Sequence, residues 1–95
     1  MLLSRLFARR RREPRTDLHF VLYTRQGCHL CEQAWELLKR ARRRHGFALR
    51  SVDVDGDPAL AEQFGLEVPV VVVDGRVRFR GVVNAVLLGR LFAAD

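Results

Sequence analysis

Apolar residues fall in short blocks with two different periods, and the periods alternate along the chain. Leu18-His19-Phe20-Val21-Leu22-Tyr23 is a compact run rich in β-branched and aromatic side chains, which reads as a buried strand. The polar stretch Thr24-Arg25-Gln26-Gly27 follows as a loop. Across residues 28–44 the spacing becomes helical, with Cys31, Ala34, Trp35, Leu38 and Ala41 on one face. Glu32 and Glu36 stand near the start of this helix; Lys39, Arg40, Arg42, Arg43 and Arg44 crowd its end. That is the order of charge the helix dipole favours. Gly46 supplies the stop.

Residues 47–54 read as a second strand, with Phe47, Leu49, Val52 and Val54 as its apolar members. Asp55-Gly56 makes a turn, Asp57 stands at an N-cap position, and Pro58 opens a short helix that Gly65 ends. Residues 68–73 form a strongly apolar third strand that includes Pro69. Asp74-Gly75 is a hairpin signal, and residues 76–80 alternate with period two, as in a half-exposed fourth strand. After Gly81, Asn84 caps a last helix running to Phe92, with Val86, Leu87, Leu88, Leu91 and Phe92 offered to the core. The order β-α-β-α-β-β-α pairs strands one and two in parallel through a crossover helix and strands three and four through a tight hairpin. The α/β architecture that results is a four-stranded mixed sheet flanked by three helices.

With 95 residues the chain is long enough for one domain. Its net charge of +6 suggests a nucleic-acid binder until the charge is located. Residues 1–16 carry six arginines against Glu13, a net of +5, which leaves +1 for residues 17–95. The basic character therefore belongs to an N-terminal extension, and no nucleic-acid partner is expected for the domain of residues 17–95. The first eight residues are apolar but too short to span a bilayer, and their arginines follow the apolar run where a secretory signal would place charge before it. Two readings of the extension stand: a flexible solvated tail, or a weak contact with an anionic surface, lipid or RNA.

Only two cysteines are present, Cys28 and Cys31. A bridge between them closes too small a loop to hold the fold together, so the pair reads as chemistry. Such a pair is compatible with reducing cytosol, and a cytoplasmic location is expected. Cys28-His29-Leu30-Cys31 lies between a strand and the first turn of a helix. Free backbone N–H groups and the positive dipole end favour a thiolate at Cys28. Arg25 can add positive charge nearby. Cys31, one turn along, faces inward and is less exposed. Cys28 is thus expected to attack a disulfide and Cys31 to resolve the mixed disulfide.

Zinc would need two further ligands; His29 is too close in sequence to complete a tetrahedron, His19 lies in a strand, and His45 is roughly 20 Å away along the helix. No metal ligand is assigned, although a zinc site shared between two copies stays open. Haem attachment would need a histidine where Glu32 stands. Two inert, buried cysteines are a further reading, for which a helix start after a Gly loop is a poor location. Pro69, taken locally, simply opens a strand in trans.

Residues 20–31, Val68-Pro69, Asp74-Gly75 and Gly81 occur in the order found in glutaredoxins, and residues 18–92 resemble that family, most of all its short bacterial glutaredoxin-like members. The resemblance implies a thioredoxin fold, a nucleophilic first cysteine, and a cis Pro69 lying against the cysteine pair. It implies substrate or glutathione contacts through Arg25, His29, Leu30, Val68, Pro69, Gly81 and Asn84. Arg25 matches the position that meets a glutathione carboxylate, and the Val68 main chain offers pairing to a peptide-like substrate.

The departures are specific. Glutaredoxins usually carry Pro-Tyr where this chain has His29-Leu30. A protonated His29 would stabilise the Cys28 thiolate, whereas a solvent-facing imidazole would do little. Glutathione-binding members have Thr-Val-Pro where Glu67-Val68-Pro69 stands; Arg80 replaces a glycine, and neutral Asn84 replaces a carboxylate that meets the glutathione amino group. The expected partners are protein or glutathione disulfides and an upstream thiol reductant, with glutathione a candidate for that role. No tightly bound cofactor is expected, and the domain is expected to act as a monomer. The competing functions are a non-catalytic adaptor that keeps the fold and uses its peptide groove, and a metal-binding module.

Overall fold

The computed structural model describes residues 17–92. The N-terminal extension lies outside the described residues. Four strands form one sheet: β1 (His19–Thr24), β2 (Ala48–Asp53), β3 (Val70–Val73) and β4 (Arg76–Arg80). Three α-helices accompany them: α1 (His29–His45), α2 (Pro58–Phe64) and α3 (Ala85–Arg90), with a 3-10 turn at Val54–Gly56. The strand order is β2-β1-β3-β4. β1 runs parallel to β2 and antiparallel to β3, and β4 is antiparallel to β3. This is the mixed sheet that the alternation of periods implied.

The main core joins Phe20 and Leu22 of β1, Ala34 and Leu38 of α1, Phe47, Val71, Val73 and Leu88. Phe20 and Leu22 are each 1% exposed, so β1 has one face wholly in the core. A fully buried side chain of this size contributes about 1.5–3 kcal/mol relative to exposure. Val54, Phe64 and Val70 form a second cluster under Tyr23. The main core holds α1 against the sheet through Ala34 and Leu38, and Cys31 is buried on the same face of that helix.

Several boundaries differ from the pattern-based expectation. β2 begins after Phe47 and ends before Val54, because Val54 turns inward to open the 3-10 turn and is fully buried. β3 starts at Val70, since Pro69 has no N–H to give a ladder. The period-two reading of β4 breaks at a bulge: Val72 pairs with Val77 and Val71 with Phe79, leaving Arg78 as the extra residue. α3 ends at Arg90 and presents a single face. Leu88 is buried, and Leu91 and Phe92 pack against the core from just beyond the helix. Val86 and Leu87, expected inside, are exposed at 67% and 46%. Asn84 fixes the helical phase, and Val86 lies two residues, about 200°, from Leu88.

Candidate redox site

β1 delivers the chain to the site. Thr24 is its last residue; Gly27 takes φ of 77°, a left-handed turn that glycine permits; Cys28 follows as the N-cap of α1. A capping Ser or Asp normally offers an oxygen to the first free N–H groups. Here the sulfur does so: Cys28 Sγ accepts the Cys31 N–H at 3.1 Å. The Cys28 carbonyl accepts the Glu32 N–H at 3.2 Å and carries the ladder on. Cys28 and Cys31 are joined by a disulfide with their Cα atoms 5.2 Å apart. Cys31 is 2% exposed, and Cys28 is half-buried. One sulfur therefore faces outward on the helix end and the other stands behind it.

The sheet brings the other parts to the same edge. Tyr23 pairs with Val70, so Pro69 and Val68 lie just beyond the end of β1. Pro69 is fully buried and cis, as the resemblance implied. The Gly81 N–H donates to the carbonyls of Glu67 (3.1 Å) and Pro69 (2.9 Å), and so stitches the proline loop to the end of β4. Gly81 has φ of 83°, a second position where glycine is needed. Among the described residues the Val68 main chain has no hydrogen-bond partner.

The remaining sequence-derived residues take distinct places. Arg25 does not stand as a free cation. Its guanidinium makes two bonds to Asp55 and a third, at 2.8 Å, to the Gly65 carbonyl. The hydrogen bond and charge of Asp55 raise the Arg25 pKa, and the Arg25 hydrogen bond holds Asp55 below the usual carboxylate value. His29 is exposed, with Nδ1 3.7 Å from Glu32. Leu30 is exposed at 44% and borders a hollow of about 230 Å³ with Val82 and Val83. The Asn84 side-chain oxygen caps α3 by accepting the Leu87 N–H at 2.9 Å.

Pattern reading missed three contributors. Asp55 became visible only once Thr24 was known to face Asp53 in the parallel pair, which sets the two following loops side by side. Glu67 binds Arg80 across the proline loop, a pairing that no local spacing reveals. Leu66 is 99% exposed beside that loop; an apolar residue between Gly65 and Glu67 was the available signal. Among the described residues no three His, Cys, Asp or Glu side chains converge as metal ligands. No described helix is long and apolar enough to cross a membrane.

The family model for the glutaredoxin-like domain (DUF836) matches residues 19–91. This chain belongs to that family. The X. campestris protein XcR50, a structural genomics target, is 41% identical, with a TM-score of 0.65 over 80% of this chain and 99% of that one. An uncharacterized protein of Mycobacterium tuberculosis (H37Rv), Rv0508, is 40% identical over 60 residues, which is 58% of this chain. The match spans 62% of the length of that curated relative. A thioredoxin mutant from Halobacterium salinarum NRC-1, 23% identical, superposes with a TM-score of 0.61 over 81% of this chain and 73% of its own. The glutaredoxin-like domain thus has the thioredoxin fold, and its cysteine pair is consistent with a redox function.

Proposed function

We propose that this chain is a dithiol–disulfide oxidoreductase in which Cys28 is the nucleophile and Cys31 the resolving thiol. The observation that supports it most directly is the sulfur cap. In the disulfide form the Cys31 N–H and the helix end face Cys28 Sγ; kept on reduction, both would favour its thiolate.

The chemistry balances as two exchanges. The Cys28 thiolate attacks one sulfur of a substrate disulfide; a mixed disulfide forms, and the other substrate sulfur leaves as a thiolate. Cys31 gives up its proton and attacks Cys28 Sγ, which breaks the mixed bond and releases the second substrate thiolate. The substrate disulfide is reduced to two thiols, and the protein keeps the Cys28–Cys31 bond. An external thiol reductant restores the dithiol, in a reducing compartment such as the cytoplasm.

The surroundings favour a polypeptide disulfide over glutathione. Leu30, Leu66 and Val82 expose apolar surface around the site, and Val68 offers an unpaired main-chain edge. Arg25 and Arg80, which could meet carboxylates of a small anionic thiol, are each held by an acid, Asp55 and Glu67. The test is trapping. With a disulfide-bonded peptide, Cys31→Ser should accumulate a mixed disulfide at Cys28, and Cys28→Ser should accumulate none and lose turnover. Full turnover by Cys28→Ser would overturn the assignment.

A further inference from the structure

The end of the molecule far from the cysteines carries charge that the redox site does not use. α1 runs 17 residues from the site, about 25 Å, to His45. There, two hollows open on either side of the last turn of α3. One, of about 440 Å³, is rimmed by Arg40, Arg43 and Arg44 over an apolar floor that includes Leu37, Leu88 and Phe92. The other, of about 330 Å³, is rimmed by Arg76, Arg78 and Arg90, with Leu18 and Leu91 in its wall. Among the described residues none of these six guanidinium groups meets a carboxylate. Asp74 is the one acid lining either hollow, and it is engaged by the N–H and Nδ1 of His19.

We infer that this pole is a docking surface for bilayers containing anionic lipid, holding the cysteine pair toward the aqueous side. Three observations favour that occupant. Six arginines line the two hollows against the single acid Asp74, a strong basic excess that suits an anionic sheet of headgroups. Apolar floors lie between the arginines, where a lipid surface can follow the cations inward. β1 starts at this pole, with the Leu18 carbonyl accepting the Ala48 N–H, so residues 1–16 join the domain here. Those residues add a net charge of +5, with Leu2, Leu3, Leu6 and Phe7 ahead of the arginine run. Apolar residues beside a polybasic run combine buried apolar area with attraction to anionic lipid, the two contributions on which interfacial binding depends. A single-stranded nucleic acid would instead want open aromatic faces. Phe92 and His45 are already stacked on one another at 3.8 Å, and Phe92 also stacks with Phe47.

The experiment is partition of the full chain onto phosphatidylcholine vesicles with and without about one-third phosphatidylglycerol. Binding should require the anionic lipid and weaken strongly at ~0.5 M salt. The variants Arg43→Gln/Arg44→Gln and Arg76→Gln/Arg90→Gln should each lose affinity, on the order of fivefold for every guanidinium removed. Circular dichroism of each variant should match the parent, and disulfide exchange in solution should be unchanged. In the reduced, vesicle-bound protein Cys28 should react with iodoacetamide as fast as in free protein. Equal binding to neutral vesicles, parental binding by both variants, or a shielded Cys28 would overturn the proposal. So would tight binding to a single-stranded RNA without vesicle binding. Vesicle partition does not depend on thiol chemistry, so Cys28→Ser separates failure here from failure of the redox reading.

Discussion

Arg25 and Asp55, thirty residues apart, lock together through two parallel bonds, Nε to Oδ2 at 2.9 Å and Nη2 to Oδ1 at 2.8 Å. The fork ties the loop that leads to Cys28 to the turn that follows β2. A planar guanidinium meets a carboxylate in this way, and an ammonium does not. Asp55 is held below its ordinary value of 3.8 by that bond, so it binds fewer protons folded than unfolded. Its stabilising contribution is complete above pH ~4 and is lost as pH falls through the lowered folded value. Acid unfolding of Asp55→Asn should therefore show a shallower slope below pH ~4 than the parent. Arg25→Lys should weaken the tie at neutral pH. An acid limb identical to the parent's would remove Asp55 from this role.

Gly65 is required for space and not for backbone freedom, since its φ is −55°. A Cβ there would strike the Ala61 carbonyl and come within 3.0 Å of the Arg25 guanidinium. Gly65→Ala should destabilise the fold by about 1–3 kcal/mol in a denaturant titration. The same change should expose Arg25, which a shift of its Nε proton resonance would report.

The sulfur cap predicts an asymmetry between two replacements of Cys28. Under reducing conditions Cys28→Ser keeps an acceptor for the Cys31 N–H, and Cys28→Ala does not. Thermal melts should place Cys28→Ala about 1 kcal/mol below Cys28→Ser. Equal melting of the two would show that the cap contributes nothing.

His45 stacks on Phe92 and is held below its usual 6.5 by burial first and by Arg44 second. The helix end alone would have favoured the imidazolium, and these two effects outweigh it. A lowered folded value means that the unfolded chain takes up the proton first. Stability is therefore full above pH ~6.5 and declines as pH falls toward the folded value. His45→Phe should keep the stack and flatten that decline. A parent whose stability is level across this range would contradict the stated cause.

Periodicity carried most of the fold. Strands bury alternating residues and helices bury every third or fourth, and both spacings are written plainly in residues 18–44. Asn84 and Asp57 were legible as caps because a short polar side chain before an apolar run has few other uses. The bulge at Arg78 was not legible, since an extra residue shows only against the strand it faces. The site was readable as a pair of sulfurs on a helix start. Its partners Asp55 and Glu67 were not, because they approach through the parallel register and the proline loop and not through neighbouring sequence.

A four-stranded sheet has two open rims along which copies of a protein can knit into fibres. β4 forms one of those rims, with the guanidinium groups of Arg76 and Arg78, a third arginine, Arg80, paired to Glu67, and a local kink along five residues. Like charges would face each other if two such rims met. The protein can thus leave one short stretch of main chain at Val68 open to visitors while its β4 rim resists knitting to the same rim of a second copy.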